Sequence, residues 1–236
     1  MKLKLSFLFY FLYVFILLNV TNSTIVAQGS SCSSTTISRT LFIEDFGTFS
    51  SISGRASSSS IINIPYDDAG EVQDGRYAIV ADCNASGASW ALSGSDHTSQ
   101  TANYPSGTYG GMLFFNAGNT GGIVFFHREV EVCANTNLQF SAWHANVHPN
   151  SSRTKPDITF NIYGEDGVTL LGTASASPPT STTGSLEWHL LSHNFNSGSN
   201  TRVILEITNN VSATSGNDIA IDDISFRACL PIVNLV

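Results

Sequence analysis

Positive charge is scarce in this 236-residue sequence, with 10 lysines and arginines against 18 aspartates and glutamates. Two of the ten, Lys2 and Lys4, sit in an N-terminal segment that reads as removable, so the chain from Gln28 onward holds 8 basic against 18 acidic groups, a balance of about −10. That excludes sequence-independent nucleic-acid binding and adhesion to anionic membranes, both of which need a cationic surface. Charge of either sign is only 12% of the chain, yet 42% is hydrophobic and 11% aromatic, which excludes global disorder. No segment after residue 30 sustains a 3.6-residue apolar period, so little helix is expected. G-x-S-x-G, a Gly-rich phosphate loop and H-E-x-x-H are all missing, and with them the commonest hydrolase, nucleotide and zinc-protease signatures.

Long apolar stretches are missing too, except at the start. Lys2 and Lys4 precede an apolar run from Leu5 to Leu18, and a polar stretch then leads to Ile25-Val26-Ala27. This is the layout of a secretory signal peptide over residues 1–27, cut near Ala27. An uncleaved anchor is the alternative, but the run falls short of the roughly 20 apolar residues of a bilayer span. The expectation is a secreted or surface protein with no membrane insertion after cleavage. About 209 residues then remain, which suits one all-β domain.

Four cysteines remain in that exported part, Cys32, Cys83, Cys133 and Cys229, an even number that points to disulfides. None forms a C-x-x-C pair. Three pairings are possible; the favoured one joins Cys32 with Cys229, tying the domain ends together, and Cys83 with Cys133, with free buried thiols as the alternative.

Short β-branched and aromatic runs bounded by Gly, Ser, Asn and Pro mark strands at residues 40–46, 76–81, 111–116, 123–132, 137–146, 157–163, 186–194, 202–209 and 218–227. The segments 93–107 and 172–184 read as surface loops, and the serines at 57–60 as a flexible tract. Gln139 to Asn146 and Thr159 to Tyr163 alternate polar and apolar residues, so each buries one face. About nine strands with little helix imply a two-sheet β-sandwich over residues 40–229, preceded by a segment 28–39 and followed by a tail 230–236.

Carboxylates cluster near both ends of that domain, at Glu44-Asp45 and at Asp218, Asp222 and Asp223. A carboxylate in an apolar strand is costly unless its charge is compensated, and a hard cation with oxygen ligands does that. If the first and last strands pair, these groups converge on one calcium ion; a solvated sheet edge is the alternative. Aromatics form the second candidate set. Trp90, Tyr104 and Tyr109 flank the loop with Asp96-His97-Thr98, and their ring faces would complement the C–H face of a sugar. Trp143 and Trp188, within strands, read as core. Glu129 and Glu131 share one strand face, which reads as an exposed face rather than a catalytic pair. His144 with His148 and His189 with His193 are four apart, a spacing that on a strand holds two side chains over ~13 Å apart and does not chelate zinc. Asn84-Ala-Ser, Asn150-Ser-Ser and Asn210-Val-Ser match the N-glycosylation triplet.

Glu44-Asp45-Phe46, Ser95-Asp96-His97-Thr98, Gly110-Gly111-Met112-Leu113 and the closing Asp218-Ile-Ala-Ile-Asp-Asp-Ile-Ser225, in that order, resemble the MAM domain of animal cell-surface proteins. Cys133-Ala-Asn-Thr-Asn leading to Trp143 is more similar still to the related domain of exported bacterial surface proteins, although Ala134 stands where that branch has proline. The resemblance implies a non-catalytic jelly roll for adhesion or ligand binding, whose partner is a glycan or a cell-surface protein. It also implies a structural calcium held by residues from the set Glu44, Asp45, Asp96, Asp218 and Asp223. A sandwich-fold carbohydrate hydrolase or lyase, or a fragment of a larger surface protein, is the alternative.

Overall fold

A computed structural model of the chain describes residues 36–56, 59–68, 70–98, 106–213 and 215–231. The expected signal segment, Cys32, Tyr104 and residues 232–236 lie outside the described residues. Thirteen strands follow in order: β1 Thr36–Glu44, β2 Thr48–Phe49, β3 Arg55–Ala56, β4 Arg76–Val80, β5 Tyr109–Gly110, β6 Met112–Asn116, β7 Ile123–Glu131, β8 Asn137–Asn146, β9 Ile158–Tyr163, β10 Leu170–Ala176, β11 His189–Asn196, β12 Arg202–Asn209 and β13 Ile219–Pro231. A 3₁₀ turn, Cys83–Ser86, lies between β4 and β5.

The chain forms a jelly-roll β-sandwich. One sheet runs β11-β8-β13-β6-β4-β3 with β1 added beside β13; the other runs β10-β9-β12-β7. Every connection from β6 to β9, and again from β10 to β13, crosses between the sheets. The first and last long strands pair antiparallel, from Thr36 opposite Pro231 to Glu44 opposite Ile224.

Alternation decides which side chains meet between the sheets. Tyr77 and Ile79 of β4, Leu113 and Phe115 of β6, Phe140 and Ala142 of β8 and Ile219 and Ile221 of β13 face inward. They meet Phe125 and Phe126 of β7, Phe160 and Ile162 of β9 and Val203, Leu205 and Ile207 of β12. Phenylalanines form a continuous seam: Phe42 stacks on Phe126 at 6.2 Å between centroids, Phe126 on Phe140 at 6.1 Å, and Phe140 meets Phe160 at 4.5 Å. Arg128 lays its guanidinium over Phe42, 4.0 Å from the ring centre, so the seam ends on a cation.

The strand limits from the sequence hold to within a few residues in the long elements, with two departures. β10 occupies residues assigned to the loop 172–184; its Gly, Thr, Ser and Ala carry little strand preference, and pairing with β9 from Leu170 to Ala176 makes the strand. β11 begins at His189 rather than at Leu186, because Leu186 packs into a second apolar cluster on the other side of the large sheet. Among the described residues no helix is long and apolar enough to cross a membrane.

Truncating Phe140, fully buried at the centre of the aromatic seam, should lower unfolding free energy by about 3–5 kcal/mol. Urea titration of Phe140→Ala against the parent checks this; a loss under about 1 kcal/mol would mean that the seam does not hold the sheets together.

Candidate functional site

The outward side of the large sheet is covered. Ala78, Val80, Met112, Phe114, Ala145 and Ala220, the alternate residues of its strands, pack with Val72, Cys83, Ala88, Leu92, Val147 and Leu186. The covering segment is tied down by its backbone: Cys83 N–H donates to Gly94 O at 3.0 Å and Leu92 N–H to Val147 O at 2.8 Å. Asp82 caps the 3₁₀ turn by accepting from Asn84 N–H at 2.9 Å.

Asp96-His97-Thr98 is the far end of this cover, and it is buried rather than exposed on a loop. A bulge in β13 explains what it meets. The register of β13 against β8 shifts between Asp222 and Ser225, and Asp223 takes a left-handed φ of 48°, a conformation that Asp tolerates better than most residues. Two successive carboxylates thereby reach the same segment. Asp222 Oδ2 accepts from His97 N–H at 2.9 Å, while Asp223 Oδ2 lies 2.7 Å from His97 Nδ1 and accepts from Thr98 Oγ1 at 2.8 Å. The His97 ring stacks on Trp143 at 3.8 Å between centroids and 13° between planes, and meets Trp188 edge-on. Trp188 in turn donates its Nε1 proton to Ser95 O at 3.2 Å. Burial, then the neighbouring Asp223 and Asp96 charges, push the Asp222 carboxyl well above its ordinary range.

This geometry separates the five expected calcium ligands. Glu44 caps Phe46 N–H and Asp45 caps Gly47 N–H, both at 3.0 Å within their own turn. Asp223 holds His97 and Thr98, Asp96 lies buried near Asp222, and Asp218 sits at the opposite end of the acidic string, accepting from Ala117 N–H at 3.0 Å. Among the described residues no three His, Cys, Asp or Glu side chains are arranged to hold a metal ion, so the five form no single centre.

The two tryptophans expected in the core, Trp143 and Trp188, are not in the inter-sheet core either; Trp143 stacks on His97 and Trp188 meets its edge on the outward face. Trp90 and Tyr109 do not share a site: Tyr109 is half-buried in the two-residue strand opposite Phe49. Cys83 and Cys133 are both free, which corrects their expected disulfide. Cys83 belongs to the outward cluster, and burial pushes its thiol well up, whereas Cys133 is exposed just beyond β7 of the other sheet. The large sheet stands between them. Cys229 ends up late in β13, but its expected partner Cys32 lies outside the described residues. Glu129, on the open face of the small sheet, pairs with Arg202 at 2.9 Å.

A polar cavity opens where β4 begins, β6 and β8 end and β13 begins. It holds about 420 Å³ and is lined by residues that include Glu71, Asp74, Trp90, Asn116, His148, Arg153 and Asp218. Trp90 donates its Nε1 proton to Glu71 Oε1 at 2.7 Å and stacks on His148 at 5.6 Å and 21°. One indole face is therefore covered, and the wall is a Trp90–His148 pair rather than the bare ring the sequence led one to expect. Burial, and then Arg153, hold the His148 imidazole below its ordinary pKa. Asp218 is 4% exposed, and burial, reinforced by the Asp74 charge, raises its carboxyl to about 8. The cavity thus combines an aromatic wall, two rim carboxylates, a protonated buried carboxyl at neutral pH, an amide and a guanidinium. Sequence reading found Trp90 and Asp218 but missed Glu71, Asp74, His148 and Arg153, which lie in loops with no shared spacing.

No protein family and no curated protein matches the chain. Solved structures with a similar strand arrangement include one titled "CBM4 structure and function", 12% identical over 72% of this chain and 80% of its own, TM-score 0.38. The CBM22-1 xylan-binding domain of Paenibacillus barcinonensis Xyn10C is 11% identical over 74% of this chain and 100% of its own, TM-score 0.35. TmCBM61, in complex with β-1,4-galactotriose, is 15% identical over 72% of this chain and 98% of its own, TM-score 0.34. Likeness at this level does not carry the functional reading, which rests on the cavity.

The Asp218 carboxyl provides a test of the cavity's electrostatics. The folded protein keeps its proton up to about pH 8, whereas the unfolded chain releases it near pH 4, so this group's contribution to stability declines as pH rises across that window. Asp218→Asn keeps an acceptor for Ala117 and cannot ionise. Its melting temperature relative to the parent should climb from pH 5 to pH 8; a constant offset would show that Asp218 is already ionised in the fold.

Proposed function

We propose that the chain is an exported, non-catalytic jelly-roll module, MAM-like in kind, that binds glycan in the cavity at Trp90 and His148. One observation carries this reading: a cavity of about 420 Å³ sets a stacked aromatic pair beside Glu71, Asp74, Asp218, Asn116 and Arg153. Sugars present C–H faces to aromatic rings and hydroxyls to carboxylates, amides and guanidinium groups, and a concave site of this size suits them better than a flat protein surface. The two rim carboxylates, Glu71 and Asp74, favour neutral glycans over acidic ones.

On a glycan array, the chain from residue 28 to 236 should be retained by a neutral glycan, and both His148→Ala and Asp74→Asn should lower retention at least tenfold with the circular dichroism spectrum unchanged. Retention equal to that of the parent for both variants would remove the cavity from the reading. Release of reducing ends from a polysaccharide panel by the parent would replace it with the alternative, a sandwich-fold hydrolase or lyase.

The reading has a second part, a structural calcium ion. Its support is the burial of Asp96, Asp222 and Asp223 together; a cation relieves the repulsion among such carboxylates. Thermal unfolding in calcium should then exceed that in chelator by several degrees, and Asp223→Ala should abolish the difference. Equal melting of the parent in both would remove the calcium ion from the reading.

A further inference from the structure

A second polar cavity, of about 480 Å³, adjoins the first and is lined by Asn119, Ser152, Arg153, Thr154, Ser212, Ala213 and Ser215. The two share Arg153 and Ser215. Both shared residues stand immediately before a bridged pair, Thr154 with Gly216, so the boundary between the cavities is a fixed piece of backbone. Asn217 N–H donates to Thr154 O across it. Gly216 takes φ 86°, and a side chain there would run into the Thr154 carbonyl, so the close approach requires glycine.

The compartments differ in chemistry. The first has the aromatic pair and the carboxylates. The second has hydroxyls, one amide, backbone and no aromatic ring. Arg153 is exposed, and its guanidinium makes no hydrogen bond or ion pair with the described residues, leaving its fork of donors open to both sides.

Building on the glycan reading above, we infer that the site is bipartite and takes a neutral oligosaccharide rather than a single sugar. One unit lies against Trp90 and His148, the next lies among the hydroxyls of Ser152, Ser212 and Ser215, and Arg153 spans the junction between them. A single sugar fills the first compartment and leaves the second to water. A linked second unit adds hydrogen bonds without a second loss of translational freedom, so affinity rises with length until both compartments are filled.

The test uses the neutral oligosaccharide most strongly retained on the array, together with its own mono-, di- and trisaccharide fragments, in calorimetric titrations of the chain from residue 28 to 236. Affinity should rise at least tenfold from one unit to two or three. Asn119→Trp, at an exposed position that lines only the second compartment, should remove that rise while leaving monosaccharide affinity and melting temperature unchanged. Arg153→Ala should weaken the longer ligands more than the monosaccharide. Affinity independent of length, or an Asn119→Trp protein with the length dependence of the parent, overturns the bipartite site and leaves the glycan reading intact. Failure of the parent to retain any glycan overturns both.

Discussion

The placement of β13 is the constraint on which the remaining structure depends. This strand pairs with β8 along one edge and with β6 and then β1 along the other, so it lies at the centre of the large sheet, and its side chains from Ile219 to Ile224 are all buried. A central strand covered on both faces is expected to be apolar throughout. β13 is not, because it carries Asp222 and Asp223 in its middle. Buried carboxylates are tolerated only with partners, and the partners here come from the segment ending in Asp96-His97-Thr98. The cover on the outward face and the strand at the centre of the sheet are thus one electrostatic unit.

That unit also shapes the cavity. The segment pinned at its far end by His97 also carries Trp90, and the strand that carries Asp222 and Asp223 follows directly on Asp218, the buried acid of the cavity. The glycan-binding reading therefore depends on a folding element: an unpinned cover would leave Trp90 without a fixed place beside His148. The inter-sheet phenylalanine seam supplies the rigid platform beneath, and the loops that end β6 and β8 bring Asn116, His148 and Arg153 to the same rim. Their placement at the strand ends of a sandwich is where loops can vary without disturbing the core.

Expectations for the acidic strings went astray for a physical reason. Glu44, Asp45, Asp218 and Asp223 looked convergent because the first and last strands pair, and they do pair. Pairing fixes which residues are neighbours along an edge, but not which face each carboxylate occupies or which donor claims it. Short turns claimed Glu44 and Asp45, while the bulge sent Asp223 to His97. Cys83 and Cys133 failed to join for a related reason: the 3₁₀ turn holds Cys83 in the cover on the outward face of the large sheet, while Cys133 lies beyond a strand of the opposite sheet. β10 was invisible as a strand because its small polar residues carry no periodic signal without β9 beside them.

The sequence by itself determined the fold class. Period-two alternation and turn residues recur along the chain with little helical competition, and alternation of that kind has one stable outcome, two sheets facing across a core. It also marked Asp218, Asp222 and Asp223, since carboxylates inside an apolar string demand compensation. Tertiary structure decided what compensates them, and which of the many loop residues share a cavity. Glu71, Trp90, His148, Arg153 and Asp218 are separated by up to 147 residues in the chain and meet only because strand order brings four strand ends together. Contacts of that range are set by sheet topology, and no local pattern encodes them.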